Sequence, residues 1–229
     1  MNETAYPEDA WKLLSRRLTP QRSQKMQEVA AQRTKHLRLI IQDVHNPHNI
    51  SACIRSAEAF GIQHVHVVAL KNSFKTSTVA RGAGNWLSIH KHDSIEDCAE
   101  SLHKLGYSIA AGMPTQSSSP LHEMDLSKPV AVLFGNEHEG VSPEWKKHIG
   151  LYFTIPMVGV VESLNISVSA AITMQHLSHR ARMELPAEQY LLSASEQNEL
   201  LCHWVCSQIP SWETECKVYR ERLANSQGE

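Results

Sequence analysis

Residues 151–171 read LYFTIPMVGVVESLNISVSAA. The apolar run Leu151 to Ile155 has the composition of a short strand, and Pro156, which cannot donate to a ladder, stops it. A turn is expected around Gly159, and a helix of Ser, Val, Ala and Ile begins near Asn165. Side chains that small let another backbone approach closely. The corner between strand and helix holds Met157, Gly159, Ser163 and Asn165. In α/β sheets, ligands bind at such corners beyond the carboxyl ends of strands. Gly159 is free to take dihedrals closed to other residues and to let a ligand lie on the backbone. Ser163 and Asn165 read equally well as helix caps, whose side-chain oxygens accept free N–H groups.

Outward from this stretch, strands alternate with helices. Val130–Phe134 is a buried type of strand followed by GNEHEG, and Ser142 and Pro143 open a short helix. Tyr107–Ala111, Trp86–His90, His64–Leu70 and Leu37–Asp43 read as further strands. Ile50–Ala59 reads as a helix closed by Gly61. Ser94 to Asp97 resembles a capping box that opens a helix to about Leu105. Residues 72–86 and the Ser/Pro-rich loop 114–120 carry no clear element. The alternation implies an α/β domain, a mostly parallel sheet flanked by helices, over about residues 36–180. Before it, residues 9–19 place Trp11, Leu14 and Leu18 on one helical face, and a basic helix runs from Ser23 to about Thr34. After it, Leu200, Leu201, Trp204 and Val205 form one amphipathic stripe, and Trp212, Cys216, Tyr219 and Leu223 another. Both stripes need a cover, on their own domain or on a second subunit.

The chain has 229 residues, 41% of them hydrophobic, which suits a globular protein of one ordinary domain with appendages. No run approaches the roughly 18 apolar residues that span a membrane, and the polar, acidic start MNETAYPEDAWK is not a secretory signal. Five scattered cysteines (53, 98, 202, 206, 216) suit a reducing cytoplasm better than a disulfide framework. A net charge of −2 hides an asymmetry: residues 12–38 hold eight lysines and arginines against Glu28 alone. A basic arm on a mildly acidic body suggests a polyanionic partner, or a solvated helix face.

Two further motifs carry chemistry. In HNPHNISACIRSAEAFG, residues 45–61, Asn49 stands before the helix and Arg55 is the only base on it. A planar guanidinium suits a phosphate, and a salt bridge to Glu58 is the structural alternative. In LFGNEHEG, residues 133–140, two glycines bracket Glu137 and Glu139 directly after a strand. That pattern fits a tight loop with solvent-facing acids, or a ligand loop whose Gly135 backbone meets an adenine or ribose.

With IPMVGVVESLN, residues 155–165, these motifs occur in the order and spacing of the SpoU family of the SPOUT (α/β-knot) RNA 2′-O-methyltransferases. The resemblance covers about residues 37–179. It is closest to the members that act on guanosine 18 of tRNA, which carry short helical extensions at both ends. The family resemblance implies a trefoil knot at the C-terminal end of the catalytic domain, an exception to the usual connection rules. It implies three regions: a basic helical RNA-binding arm (1–36), a methyltransferase domain (37–182) and a helical C-terminal extension (183–229).

The same resemblance implies S-adenosylmethionine as cofactor, held at Gly112, Gly135, Ile155, Met157, Gly159 and Leu164. Asn49, Arg55, Glu137, Ser163 and Asn165 match the catalytic positions. Arg16, Arg17, Arg22 and Lys25 on the arm, with His48 and Arg180, are the expected RNA contacts. The reaction would move a methyl group from a sulfonium to a ribose 2′-hydroxyl, with alignment supplying most of the rate. The family proposal gives the hydroxyl proton to the arginine, although a guanidinium stays protonated at ordinary pH, and an RNA phosphate held by Arg55 is the other acceptor. A homodimer with the site at its interface is expected, in the cytoplasm, with tRNA as partner and with neither membrane nor metal. Cys202, His203, Cys206 and Cys216 match no strong zinc spacing, and RGAGNW, residues 81–86, lacks the full dinucleotide glycine pattern. The rivals are the same chemistry on the tRNA wobble position or on ribosomal RNA, and a non-catalytic RNA-binding protein on the same fold.

Overall fold

Strand β1, Thr34–Gln42, is the third of seven in a sheet whose order is β3-β2-β1-β6-β4-β7-β5. The computed structural model describes residues 6–44, 46–70, 82–115, 117–136 and 139–226. The other strands are β2 Ile62–Val68, β3 Ser88–His92, β4 Ser108–Gly112, β5 Ser119–Pro120, β6 Val130–Phe134 and β7 Ile149–Thr154. Every neighbouring pair is parallel. An all-parallel sheet needs cover on both faces, and it has it.

One face packs Leu37, Leu39, Ile41, Val65 and Val132 against two helices, α3 Pro47–Ala59 and α5 Ile166–Glu184. The other packs Ile40, Ile109, Ala111 and Leu133 under α4 Ile95–Lys104 and the fully buried Trp145. The alternation of β1 accounts for both, since successive side chains point to opposite faces.

Local chemistry sets the helix ends. Asn46 caps α3 by accepting from the His48 N–H at 2.9 Å, Pro47 stands at the first turn, and Gly61 follows with φ +79°. Asn165 caps α5, accepting from the Ser167 N–H at 2.8 Å. Ser94 caps α4, but the box is only half formed: the Asp97 carboxylate turns away to His92 Nδ1 at 2.6 Å.

Several boundaries move from those expected, β3 for one running Ser88–His92 and not Trp86–His90. The basic helix, α2 Pro20–Ala30, ends four residues before Thr34. Thr34 instead opens β1, its N–H donating to Gly61 and its hydroxyl to the Tyr190 carbonyl at 2.8 Å. The loop at 114–120 contributes the two-residue β5 against the end of β7. The first helix, α1 Ala10–Leu14, passes into a 3₁₀ turn at Ser15–Arg17, and Leu18 is only half-buried.

Thr34–Leu191, which ends in the short helix α6 Ala187–Tyr190, forms one compact unit. Residues 1–33 and 192–229 form the other. In that second unit α7, Ala194–Gln208, opens with a complete Ser193/Glu196 capping box, and α8 spans Trp212–Ser226. The N-terminal helices are the cover that the tail stripes need: Ala10, Leu14, Trp204, Val205 and Cys216 are all buried. The Trp11 N–H points at the Cys202 sulfur at 3.3 Å, and Asn198 donates to the Glu8 carbonyl at 2.9 Å. The side chain of Leu223 lies outside the described residues. All five cysteines are buried and unbridged. Among the described residues no helix is long and apolar enough to cross a membrane.

Candidate active site

Parallel strands deliver their carboxyl ends to one edge of the sheet. β6, β4 and β7 are consecutive there, with Ala111 level with Leu133 on one side and Gly112 level with Phe153 on the other. Gly112, Gly135 and Ile155 therefore stand side by side at that edge. A Cβ on Gly112 would lie 2.9 Å from the Phe134 ring and 3.0 Å from that of Phe153. The missing side chain lets the two rings meet edge to face, 6.2 Å apart, under the strand ends.

Gly135 is constrained more tightly. A Cβ there would fall 1.9 Å from the Gly140 carbonyl oxygen. Asn136 and Gly140 exchange backbone hydrogen bonds of 3.0 and 3.1 Å, and Asn136 Oδ1 accepts from the Glu139 N–H at 2.6 Å. Gly140, at φ +69°, supplies the left-handed turn. Glu137 lies outside the described residues.

Beyond β7 the chain leaves regular structure until Asn165. Ser163 is exposed there and Leu164 half-buried. Gly159 is not among the glycines with positive φ, and a Cβ on it would touch nothing within 4 Å. Its expected conformational role is thus not used in this structure. Asn165 does double duty: besides capping α5, its Nδ2 donates to Asn49 Oδ1 at 3.3 Å. That bond joins the first and third motifs across the α3–α5 pair.

Arg55 is exposed, six residues on from Asn49 along α3. At 3.6 residues per turn, positions six apart face directions about 120° apart. Asn49 and Arg55 therefore leave α3 in different directions. His48 is exposed at the helix start.

The basic residues expected to touch RNA have structural partners. Arg180 is bidentate to Glu184, at 2.7 and 2.9 Å, and donates to the Met124 carbonyl at 2.9 Å. Arg17 pairs with Glu215 at 3.0 Å, and Arg16 lies 3.4 Å over the Tyr219 ring. Arg22 donates to Gln208 at 2.9 Å. Lys25 is exposed.

A second polar cluster escaped the sequence reading. His64 and His66 on β2 lie beside His90 and His92 on β3: the register pairs His66 with His90, and each β2 histidine bonds the β3 histidine two residues beyond its own register partner. Arg38 donates to His66 Nε2 at 3.2 Å, His66 Nδ1 meets His92 Nε2 at 2.9 Å, and His92 Nδ1 meets Asp97 at 2.6 Å. His64 Nδ1 meets His90 Nε2 at 3.0 Å. Burial, reinforced by the Arg38 guanidinium and the neighbouring imidazoles, holds His64 and His66 well below their ordinary value and brings His90 down to about 4. His66, His92 and Cys98 bring one ligand atom each within 4.8 Å of one another. The hydrogen-bond chain uses the same nitrogens: with Nε2 accepting from Arg38, the His66 proton sits on Nδ1 and is given to His92. The Cys98 thiol, pushed up to about 12 by burial, is held as a neutral group.

Comparison with known proteins bears on the sheet edge. The family model of the SpoU rRNA Methylase family matches residues 36–175. The chain is 30% identical over 215 residues to the tRNA (guanosine(18)-2′-O)-methyltransferase of Borreliella burgdorferi, covering 93% of this chain and 95% of that one. The structure resembles the A. aeolicus TrmH/SpoU tRNA modifying enzyme with a TM-score of 0.73 at 27% identity, covering 82% of this chain and 97% of that one. It also resembles an AdoMet-bound rRNA methyltransferase from Sinorhizobium meliloti, with a TM-score of 0.58 at 25% identity, covering 70% of this chain and 61% of that one.

Proposed function

Because the chain belongs to the SpoU rRNA methylase family, we propose that it transfers a methyl group from S-adenosylmethionine to a ribose 2′-hydroxyl of tRNA, at guanosine 18. The observation that carries the reading is the 3.3 Å bond from Asn165 to Asn49, set beside the aligned ends of β6, β4 and β7. The residues fit the cofactor. Just past Gly112 and Gly135 the chain leaves β4 and β6 at the carboxyl edge, where parallel sheets bind ligands. Half-buried Met113, Ile155 and Leu164 offer apolar surface for an adenine, with Met157 and Gly159 on the loop beyond. When bound, S-adenosylmethionine supplies an activated sulfonium methyl.

The protein's part is alignment and charge. Asn49, Ser163 and Asn165 orient the ribose edge of the substrate, Glu137 is a catalytic position on the family likeness alone, and Arg55 acts as a fixed cation. A guanidinium remains protonated at any pH the enzyme meets, so Arg55 holds an RNA phosphate that takes or shares the 2′-hydroxyl proton. His48 contacts the same RNA, as do Arg16, Arg17, Arg22, Lys25 and Arg180 where their present partners yield to phosphate.

The active form in this reading is a homodimer. Arg55 leaves α3 in a different direction from Asn49. The corner also exposes apolar surface, with Val158 and Val160 fully exposed, Val161 64% exposed and Met157 39%. Val168 and Ile172 extend it along α5. Such a patch suits a second copy of the chain. The reading includes the family's trefoil knot, supported by a strand order that sets β7 beyond β4 from β6. It also includes a cytoplasmic site, supported by five unbridged cysteines.

The test is to incubate the protein with labelled S-adenosylmethionine and unmodified tRNA and to map the methylated riboses. Label at guanosine 18 is expected; label at another ribose overturns the position alone, and none on any RNA overturns the enzyme. Co-expressing Arg55→Ala with Asn165→Ala tests the dimer. If Arg55 serves the partner's site, statistical mixing of the two inactive chains restores about a quarter of wild-type activity, because half the dimers keep one intact site. If it serves its own, mixing restores nothing.

A further inference from the structure

Two polar residues, Gln42 and Asp43, follow the apolar run Leu39–Ile41 where β1 ends near the site. Gln42 is fully buried and Asp43 4% exposed. Gln42 Oε1 accepts from the Ser142 N–H at 3.0 Å, and its Nε2 donates to the Ser142 hydroxyl and to Asp43 Oδ2, the latter at 3.3 Å. Both N–H donors and the oxygen of the amide are thereby in use. Ser142 ends the loop that begins at Gly135 and leads into the 3₁₀ turn Pro143–Lys147. Gln42 thus fixes the returning end of the loop whose outgoing end is fixed by the Asn136–Gly140 pair.

Asp43 works in the other direction. It is the one described non-glycine residue at positive φ, +47°, a conformation open to Asp at some energetic cost. Its N–H donates to the Val68 carbonyl at 2.9 Å, and Oδ1 accepts from the Leu70 N–H at 2.7 Å. The turn it makes sends the chain from β1 to the cap of α3, where Asn49 and Arg55 stand. Strain of this kind persists only where surrounding bonds hold it.

We propose that Gln42 and Asp43 are positioning residues for methyl transfer: Gln42 sets the cofactor loop at its Ser142 end, and Asp43 sets the start of α3. The proposal rests on the methyltransferase reading above. Neither residue touches the reacting atoms, so their effects should divide. Loss of the Gln42 amide should loosen cofactor binding. Loss of the Asp43 acceptor should slow the transfer step with cofactor binding kept.

The experiment measures kcat and KM with tRNA, S-adenosylmethionine affinity by calorimetry, and thermal unfolding. Gln42→Ala and Ser142→Ala should each weaken S-adenosylmethionine binding about tenfold, the scale of one hydrogen bond lost to a buried group. Asp43→Gly relieves the strain of the left-handed turn but removes the acceptor, and thermal unfolding measures whether the two offset each other. Its kcat should fall about tenfold or more, since small misplacements are costly in aligned transfers, with KM for the cofactor unchanged. Asp43→Asn keeps both the acceptor and tolerance of the turn and should restore kcat. The proposal is overturned if Asp43→Gly matches wild type, if Asp43→Asn and Asp43→Gly fall together, or if cofactor affinity is unmoved in both Gln42→Ala and Ser142→Ala. A wild-type protein that binds S-adenosylmethionine but methylates no RNA overturns the reading of function instead, and calorimetry on the Gln42 and Ser142 variants still decides their part.

Discussion

The carbonyl of Gly140 leaves room for nothing but hydrogen at position 135. In Gly135→Ala the clash is with backbone, so no side chain can swing aside and the 136–140 loop must open. We expect a destabilisation of roughly 1–3 kcal/mol, the usual cost of forcing an extra carbon into a packed site. Cofactor affinity should fall with it, read by thermal unfolding and calorimetric titration. Arg55 is the opposite case, exposed and away from the core. Arg55→Ala should abolish methyl transfer while leaving the unfolding temperature near that of wild type. Arg55→Lys keeps the charge but loses the planar fork, so it should remain about 100-fold down in kcat if paired hydrogen bonds to phosphate matter. Recovery by lysine would reduce the role of Arg55 to charge alone.

At the level of elements, the histidines of β2 and β3 make stability depend on pH. Arg38, His92, Asp97, Cys98 and Tyr107 surround His64, His66 and His90, and burial lowers the pKa of all three. An unfolded chain protonates these imidazoles near 6.5, the folded chain only at lower pH, near 4 for His90. Between those values the unfolded state binds more protons, so stability is complete above pH 6.5 and is lost as pH falls. Each such histidine contributes a slope of about 1.4 kcal/mol per pH unit. Unfolding temperatures should drop steeply from pH 7 to pH 5, and His64→Gln with His90→Gln should flatten the fall. A flat wild-type profile would show that the ladder is hydrated. This cluster also marks a limit of reading by sequence. The pattern His-x-His was visible on both strands, but only the parallel pairing of β2 with β3 turns two patterns into one ladder. The strands and capped helices themselves were legible, because apolar alternation and cap residues are local signals. β5 was not, since two residues paired to a distant strand leave no periodicity. Gln42 and Asp43 were legible only as polar residues ending a buried run; their partners lie 100 and 27 residues away.

For the whole molecule, the two ends of the chain fold together, and this changes how the basic arm has to be tested. The sequence suggests deleting it. In the structure its helices bury the stripe of α7, so removing residues 1–33 uncovers Trp204 and Val205, each contributing roughly 1.5–3 kcal/mol through burial. Such a truncation should bind hydrophobic dye and lose tRNA binding for reasons unrelated to charge. Arg16 and Arg17 are also poor targets, since one stacks on Tyr219 and the other pairs with Glu215 within the same unit. Arg22 and Lys25 are exposed, Arg22 bonded to the Gln208 side chain of the same unit, and reversing both to glutamate leaves Trp204 and Val205 covered. If they hold phosphate, Arg22→Glu with Lys25→Glu should weaken tRNA binding about tenfold or more at low salt and lower the slope of log K against log salt by roughly one per residue. The KM for S-adenosylmethionine should not move. Filter binding across a potassium chloride series separates the outcomes: an unchanged slope and affinity would mean that the arm's charge serves the fold of its own unit and not the RNA.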